Sequence, residues 1–388
     1  MRTPSHKMPV WAIILIDFLL LAVCVSTFCW YHHIEEIWGS DFIGDLLGDG
    51  DAEALEPIET QPPVMVITKP PRVTQPTTPS TTLPTPETNP IPDTEETGSV
   101  TTRPPEPTQP PLDTSGDFGY LHADKFAQTV GMINRGELED GTQYYQSHDL
   151  YIETKEVLTQ LEQASSKGGN KKNTTVRYVI SDIYVRNIDN LFASYSSSNK
   201  SFSALLEGTG AVVAINGDVF NTGSASKEII IRNGNVIRYK TYITSDICVL
   251  YWDGTMETIT PAEFNWDELL AKAPYQVWSF GPELLRDDGS AKTNIDTSVW
   301  TLNPRSAIGY VEPGHYVMVA VDGNRGTNGT GSGLNMDELA KLMSDAGCKQ
   351  AYNLDGGASV YGYYDGEVTV SFDKNRKISD IICVGEIG

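Results

Sequence analysis

Residues 315–357 read HYVMVAVDGNRGTNGTGSGLNMDELAKLMSDAGCKQAYNLDGG, and the reading of this stretch decides the fold. YVMVAVDG is an apolar, β-branched run that predicts a strand. Asn335 stands as an N-cap with Glu338 three residues on, a capping-box spacing, and Met336, Leu339, Ala340, Leu342, Met343 and Ala346 form one apolar stripe before Gly347 ends it. AYNLDGG then predicts a second strand. Strand, crossover helix and parallel strand is the unit this order implies.

Working outward, the same grammar recurs: VRYVISDIYVR, GAVVAINGD, KEIIIRNGNVI, DICVLYWDG, GEVTVSF and DIICVGEI all read as strands, and HADKFAQTVGMI as a short helix. The fold class expected is mixed α/β: a strand-rich mixed sheet with flanking helices, in a single domain over residues 117–388. Roughly 270 residues are enough for one large core. Cys248, Cys348 and Cys383 sit among apolar neighbours and read as buried thiols.

Three of the strands stop alike, at Asn216-Gly217-Asp218, at Asp322-Gly323-Asn324-Arg325 and at Asn353-Leu354-Asp355-Gly356-Gly357-Ala358-Ser359. Sites gather beyond the carboxyl ends of strands in α/β sheets, so neighbouring tips would converge on one cleft. Asp322 and Asp355, with Asp218 as a third candidate, supply the carboxylates that glycosyl transfer uses as acid, base or nucleophile. The small loop Gly356–Ser359 lets backbone amides approach an anion, and Arg305 and Arg325 offer fixed positive charge for a phosphate. Asp-Gly after a strand is ordinarily a turn, and Asp253-Gly254 and Asp365-Gly366 read that way. Glu338 is assigned to capping, and His315 to the surface. No H-E-x-x-H, paired-cysteine, Walker or G-x-S-x-G motif occurs, so no metal, cofactor or hydrolase elbow is expected.

Before the domain the composition changes twice. Residues 10–31 contain an apolar run long enough to cross ~30 Å of hydrocarbon, interrupted by Asp17. Arg2 and Lys7 precede it, whereas residues 35–59 carry nine acids and no Lys or Arg, so the expectation is a signal-anchor with a cytoplasmic N-terminus (1–9) and an extracellular domain. A cleaved signal peptide and lipid attachment at Cys24 are the competing readings. Residues 32–116 form an acidic, then Pro/Thr-rich segment holding 16 of the chain's 23 prolines between Pro57 and Pro111, and it reads as an unfolded stalk. A net charge of -23 without Lys/Arg clusters excludes nucleic acid as a partner.

In order and spacing, AINGDVF, FGPELLRDDG, NPRSAIGYV, VAVDGNRG, GLNMDELAKLM and AYNLDGGAS resemble the phosphodiester glycosidase family, over roughly residues 144–388. That resemblance implies hydrolysis of the bond between a sugar's anomeric carbon and a phosphodiester, in a family whose members remove N-acetylglucosamine in this way and include exported bacterial proteins linked to exopolysaccharide. It carries roles onto Asn216, Asp218, Arg305, Asp322, Asn353, Asp355, Gly356, Gly357 and Ser359. Two departures stand out: Asn324 separates Asp322-Gly323 from Arg325, and Ala358 replaces the family's third glycine. A phosphomonoester leaves readily near neutral pH, so arginines and amides that neutralise its charge suit this substrate better than a strong acid does. The expected protein is a membrane-anchored hydrolase of a glycosyl-phosphodiester or surface glycan. The alternative is a carbohydrate-binding or wall-processing module without turnover, for which Tyr361, Tyr363 and Tyr364 could stack on sugars.

Overall fold

The computed structural model describes residues 65–70, 116–164, 166–218, 229–323 and 333–387. All lie in one compact unit, Pro63–Gly388. The apolar run 10–31 and Arg325 lie outside the described residues, as does most of 32–116. Among the described residues no helix is long and apolar enough to cross a membrane.

Three sheets carry the domain. The first runs β1 (Asn134–Glu137), β2 (Gln143–Gln146), β3 (Leu150–Ala164), β4 (Lys171–Val185), β13 (His315–Val321), β12 (Arg305–Glu312), β14 (Gln350–Asn353). The second runs β10 (Met256–Ile259), β9 (Ile247–Tyr251), β11 (Pro274–Trp278), β7 (Ile230–Arg232), β8 (Asn235–Arg238). The third runs β16 (Glu367–Ser371), β15 (Tyr361–Tyr364), β6 (Ala211–Asn216), β17 (Ile378–Gly385), β5 (Leu191–Lys200). Three short helices, α1 (Phe202–Leu206), α2 (Trp266–Ala271) and α3 (Met336–Asp345), complete the set among the described residues.

The unit expected from residues 315–357 is present with one element interposed. β13 and β14 each pair antiparallel with β12, so they run parallel to each other on its two sides, and α3 makes the crossover. Every ladder among the described strands is itself antiparallel. Beyond His315, β13 is a buried run, Tyr316–Val321, because both of its faces are covered. Met318 and Ala320 join the central core, while Val317, Val319 and Val321 join Met336, Leu339, Ala340 and Met343 of α3. The capping box is formed: Glu338 N–H donates to Asn335 Oδ1 at 2.9 Å and Asn335 N–H to Glu338 Oε2 at 3.0 Å. The three domain cysteines are buried and free. Asp253-Gly254 closes a turn on Tyr251, and Asp365-Gly366 joins β15 to β16.

HADKFAQTVGMI is not a helix. The stretch is a chain of turns, because Ala127 N–H donates to Ser147 O at 2.8 Å rather than to a preceding carbonyl, and buried Phe126 packs under the Arg186 guanidinium. Tertiary contacts here override an amphipathic pattern too short to hold a helix alone.

A second departure concerns the segment read as unfolded stalk. Residues 65–70, MVITKP, lie along β8 as an added edge: Ile67 N–H donates to Gly234 O at 2.7 Å, Val236 N–H to Met65 O at 3.0 Å, and Val66 pairs with Asn235. Trp252 Nε1 donates to Ile67 O at 3.0 Å, Ile67 packs against two core clusters, and Lys69 Nζ reaches Asn187 Oδ1 at 2.8 Å and Asp189 at 3.1 Å. Ile67, which packs on the core while Met65 and Val66 stay exposed, together with the backbone bonds to β8, lets this piece of a proline-rich segment offset its ordering entropy. A chain beginning at residue 116 should therefore be about 2 kcal/mol less stable in urea than one beginning at residue 63. Equal midpoints and slopes would contradict the assignment of 65–70 to the folded domain.

Candidate active site

The tips of β6 and β14 meet although they belong to different sheets. Asp355 N–H donates to Gly217 O at 3.2 Å, and Asn216 Nδ2 donates to Asp355 O at 2.8 Å. Asn216 Oδ1 accepts from Ser306 Oγ at 2.5 Å and Tyr361 N–H at 3.1 Å. With 1 % exposure, Asn216 is a tie between β6, β12 and β15, not a group open to a ligand as expected from the sequence. Asn353 is likewise enclosed, its Nδ2 donating to Gly281 O at 2.7 Å.

Asp355 stands half-buried at this junction. Its Oδ1 accepts Gly356 N–H at 2.9 Å and its carboxylate takes the Ser359 hydroxyl, while Arg376 Nε donates to Ser359 Oγ at 3.2 Å. Burial raises the Asp355 pKa, and the bonds from Ser359 and Gly356 and the charge of Arg376 oppose that rise without cancelling it. The result is a carboxylate that accepts a proton more readily than an exposed one. The loop beyond it folds into a 3₁₀ turn, Gly357–Ser359, in which Gly357 has φ +59°, a value that suits glycine. Ala358 does not share that region of backbone space, so its replacement of a glycine carries no strain. The loop does not present a row of open amides: those of Gly356, Gly357 and Ser359 are taken by Asp355, Pro304 O and Gly356 O.

Asp218 was expected as a third reacting carboxylate. Its side chain has 0 % exposure and is bound to Arg232 Nη2, and its Oδ2 accepts Ser279 N–H at 2.6 Å. Arg232, also 0 % exposed, bonds Asp380 Oδ2 from Nε at 3.0 Å and from Nη2 at 2.9 Å. Asp218 therefore belongs to a closed triad behind the junction. Asp322 is placed at the end of β13, where its Oδ2 pairs with Arg177 Nη1 at 3.0 Å and its Oδ1 accepts Gly323 N–H at 2.8 Å. No hydrogen bond or ion pair joins it to Asp355 among the described residues. Arg305 is 2 % exposed and gives Nε to Leu334 O at 3.1 Å and Nη2 to Val299 O at 2.6 Å and to Thr301 O. It has no carboxylate partner among the described residues, and burial lowers its pKa to about 10. Its Nη1 lies 3.8 Å from where a Cβ on Gly356 would stand, so an uncompensated cation underlies the loop.

Sequence reasoning missed Arg232, Asp380 and Arg376. The first two carried a signal: each is a charge inside an otherwise apolar strand, which demands a buried partner of opposite sign. Tyr361 and Tyr364 prove to be buried strand residues, Tyr361 stacking on Phe202 at 4.6 Å.

All of these groups except Arg177 and Phe202 fall within residues 209–385, which match the phosphodiester glycosidase family model. Residues 209–385 belong to the phosphodiester glycosidase family. A curated relative of this phosphodiester glycosidase domain, the SPbeta prophage-derived uncharacterized protein YomE of Bacillus subtilis strain 168, is 25 % identical over 223 residues, 55 % of this chain and 34 % of its own length. The chain thus spans about a third of that relative. Among solved structures, the domain is similar to the zebrafish N-acetylglucosamine-1-phosphodiester alpha-N-acetylglucosaminidase catalytic domain auto-inhibited by its pro-peptide, with a TM-score of 0.49 and 19 % identity, covering 70 % of this chain and 94 % of that one. A hypothetical protein from Synechocystis matches with a TM-score of 0.38 and 11 % identity, covering 69 % and 84 %.

Proposed function

We propose that the chain is an exported, membrane-anchored hydrolase that cleaves a sugar from a sugar-1-phosphodiester of the cell surface or wall. The observation that carries this reading is the half-buried Asp355, made more basic by burial and flanked by two arginines that form no ion pair with a carboxylate among the described residues. Arg376 hangs from Ser359 at the exposed side of the loop, and Arg305 underlies Gly356. Two cations around one carboxylate suit a substrate whose phosphate carries negative charge next to the bond that breaks.

In this reading the phosphodiester lies over Gly356 to Ser359, its charge offset by Arg376 and Arg305. Water attacks the anomeric carbon, Asp355 takes the water's proton, and the electron pair of the breaking C–O bond leaves on the phosphate oxygen. The products are a free sugar and a phosphomonoester. Asp322, held by Arg177, is the second carboxylate of the site. The non-catalytic binding module remains the other reading, but the buried Tyr361 and Tyr364 do not offer it a stacking platform.

Protein spanning residues 63–388 should release free sugar from glycosyl-phosphodiesters, UDP-sugars or teichoic-acid-like polymers, and leave uncharged glycosides of the same sugars intact. Binding to such polymers without release of sugar from any of them would overturn the hydrolase reading in favour of the binding module.

A further inference from the structure

Behind Asp355 lies a group of charges that the proposed reaction does not use. Asp218, Arg232 and Asp380 are fully enclosed, two carboxyls to one guanidinium. Both Asp380 contacts to Arg232 use Oδ2; Oδ1 is buried and has no hydrogen-bond partner among the described residues. The Asp380 carbonyl accepts Gly217 N–H at 3.1 Å, and the Gly217 carbonyl accepts Asp355 N–H at 3.2 Å, so a two-bond relay runs from Asp380 to Asp355. Gly217 has no room for a side chain, since a Cβ there would overlap the Asp380 carboxyl.

We propose that Asp380 is the positioning residue of the site, standing in the triad as the neutral acid and holding the Gly217–Asp355 contact in register only in that form. One guanidinium balances one carboxylate, Asp218, whose two oxygens both have donors. A second full charge on Asp380 would leave a buried anion with one oxygen bare and two further carboxylates near it. The charged and titratable groups around it are Arg232 from β7, Asp218 from the β6 tip, Asp355 from the β14 tip and Tyr195, its register partner on β5. Burial, with the nearby Asp218 and Asp355 charges, outweighs Arg232 and pushes the Asp380 pKa up to about 8. Ionisation would push the carboxyl away from its acidic neighbours, and the Gly217 backbone packed on it would follow.

The sign follows from comparing the two states. The unfolded carboxyl releases its proton near 3.8 and the folded one near about 8, so the folded state binds the extra proton between those values and stability from this group is lost as pH rises across that window. Above about 8 the loss levels off.

Urea unfolding of the full chain and of Asp380→Asn tests this. The ratio of their unfolding constants should change about tenfold per pH unit from about 5 towards 8, always to the relative disadvantage of wild type, and then flatten. The activity arm rests on the hydrolase reading: the alkaline limb of sugar release near pH 8 should vanish in Asp380→Asn while kcat at pH 6 is kept. Should the variant not fold, infrared spectra of wild type and Asp355→Asn decide, each expected to show a protonated-carboxyl band at pH 7 that disappears by about pH 9. A flat stability ratio, or absence of that band at pH 7, would overturn the proposal. Failure of every hydrolysis assay would defeat the hydrolase reading but leave the stability and infrared arms able to decide on Asp380.

Discussion

Asp355→Asn should lower sugar release from a glycosyl-phosphodiester by about a thousandfold, mostly in kcat, while the urea midpoint stays where it is or rises. The amide keeps the volume of the carboxyl and its Oδ1 still accepts the Gly356 N–H. What it loses is the capacity to take a proton from water. Because burial disfavours the charged form of Asp355, exchanging it for a neutral group removes an electrostatic cost rather than adding one. Rate and stability therefore separate in this variant, which a purely architectural role for Asp355 would not allow. Unchanged turnover would remove Asp355 from the reaction.

Arg232→Met should produce the largest loss of stability. Arg232 is bonded to both Asp218 and Asp380, and all three side chains are closed to solvent. Its removal takes the guanidinium from the buried Asp218 carboxylate and from the Asp380 carboxyl, an effect worth about 3–5 kcal/mol where a buried pair is broken from one side. Against a typical stability of about 5–15 kcal/mol this is about a fifth of the total or more. Urea titration at pH 7 gives the loss directly. The triple variant Arg232→Met, Asp218→Asn, Asp380→Asn should recover most of it, since the unpaired charges and not the lost methylenes cause the damage. A triple variant as unstable as the single one would point to packing around Trp278, whose ring lies 5.9 Å from the Arg232 guanidinium carbon.

The strands, the α3 capping box and the loop Asn353–Ser359 were legible because each depends on local signals: alternation, a cap three residues from its partner, glycines after an apolar run. The meeting of the β6 and β14 tips was legible as a common ending, Asn-x-Asp or Asn-Gly-Asp, but not as geometry. Which side chains face the cleft depends on sheet pairing between distant segments, and that reversed the expected roles of Asn216, Asn353 and Asp218. Similar tip sequences were read as similar functions. Arg305 resembles a phosphate ligand in sequence and is mostly spent on carbonyls in the fold. Arg376 had no signal, being one more charge in the exposed turn before β17. The edge strand 65–70 had a plain one: Val64 to Ile67 is an apolar island in a proline-rich sea.

That edge strand also resets the length of the leash. Lys69 and Gly116 arrive at one patch, Lys69 on Asn187 and Gly116 accepting Ile188 N–H at 2.9 Å, with the Lys69 Cε 3.1 Å from a Cβ placed on Gly116. The chain is thus fastened to the domain at both ends of 71–115, and the phrase PTTPSTTLPTPETNP adds nothing to the distance between the proposed anchor and the site. Only residues 32–64 set that radius, on the order of 100 Å at full stretch and well under half of what 32–116 would span. If residues 10–31 anchor the chain as proposed, the substrate lies within that radius of the bilayer, in the inner part of a wall or coat.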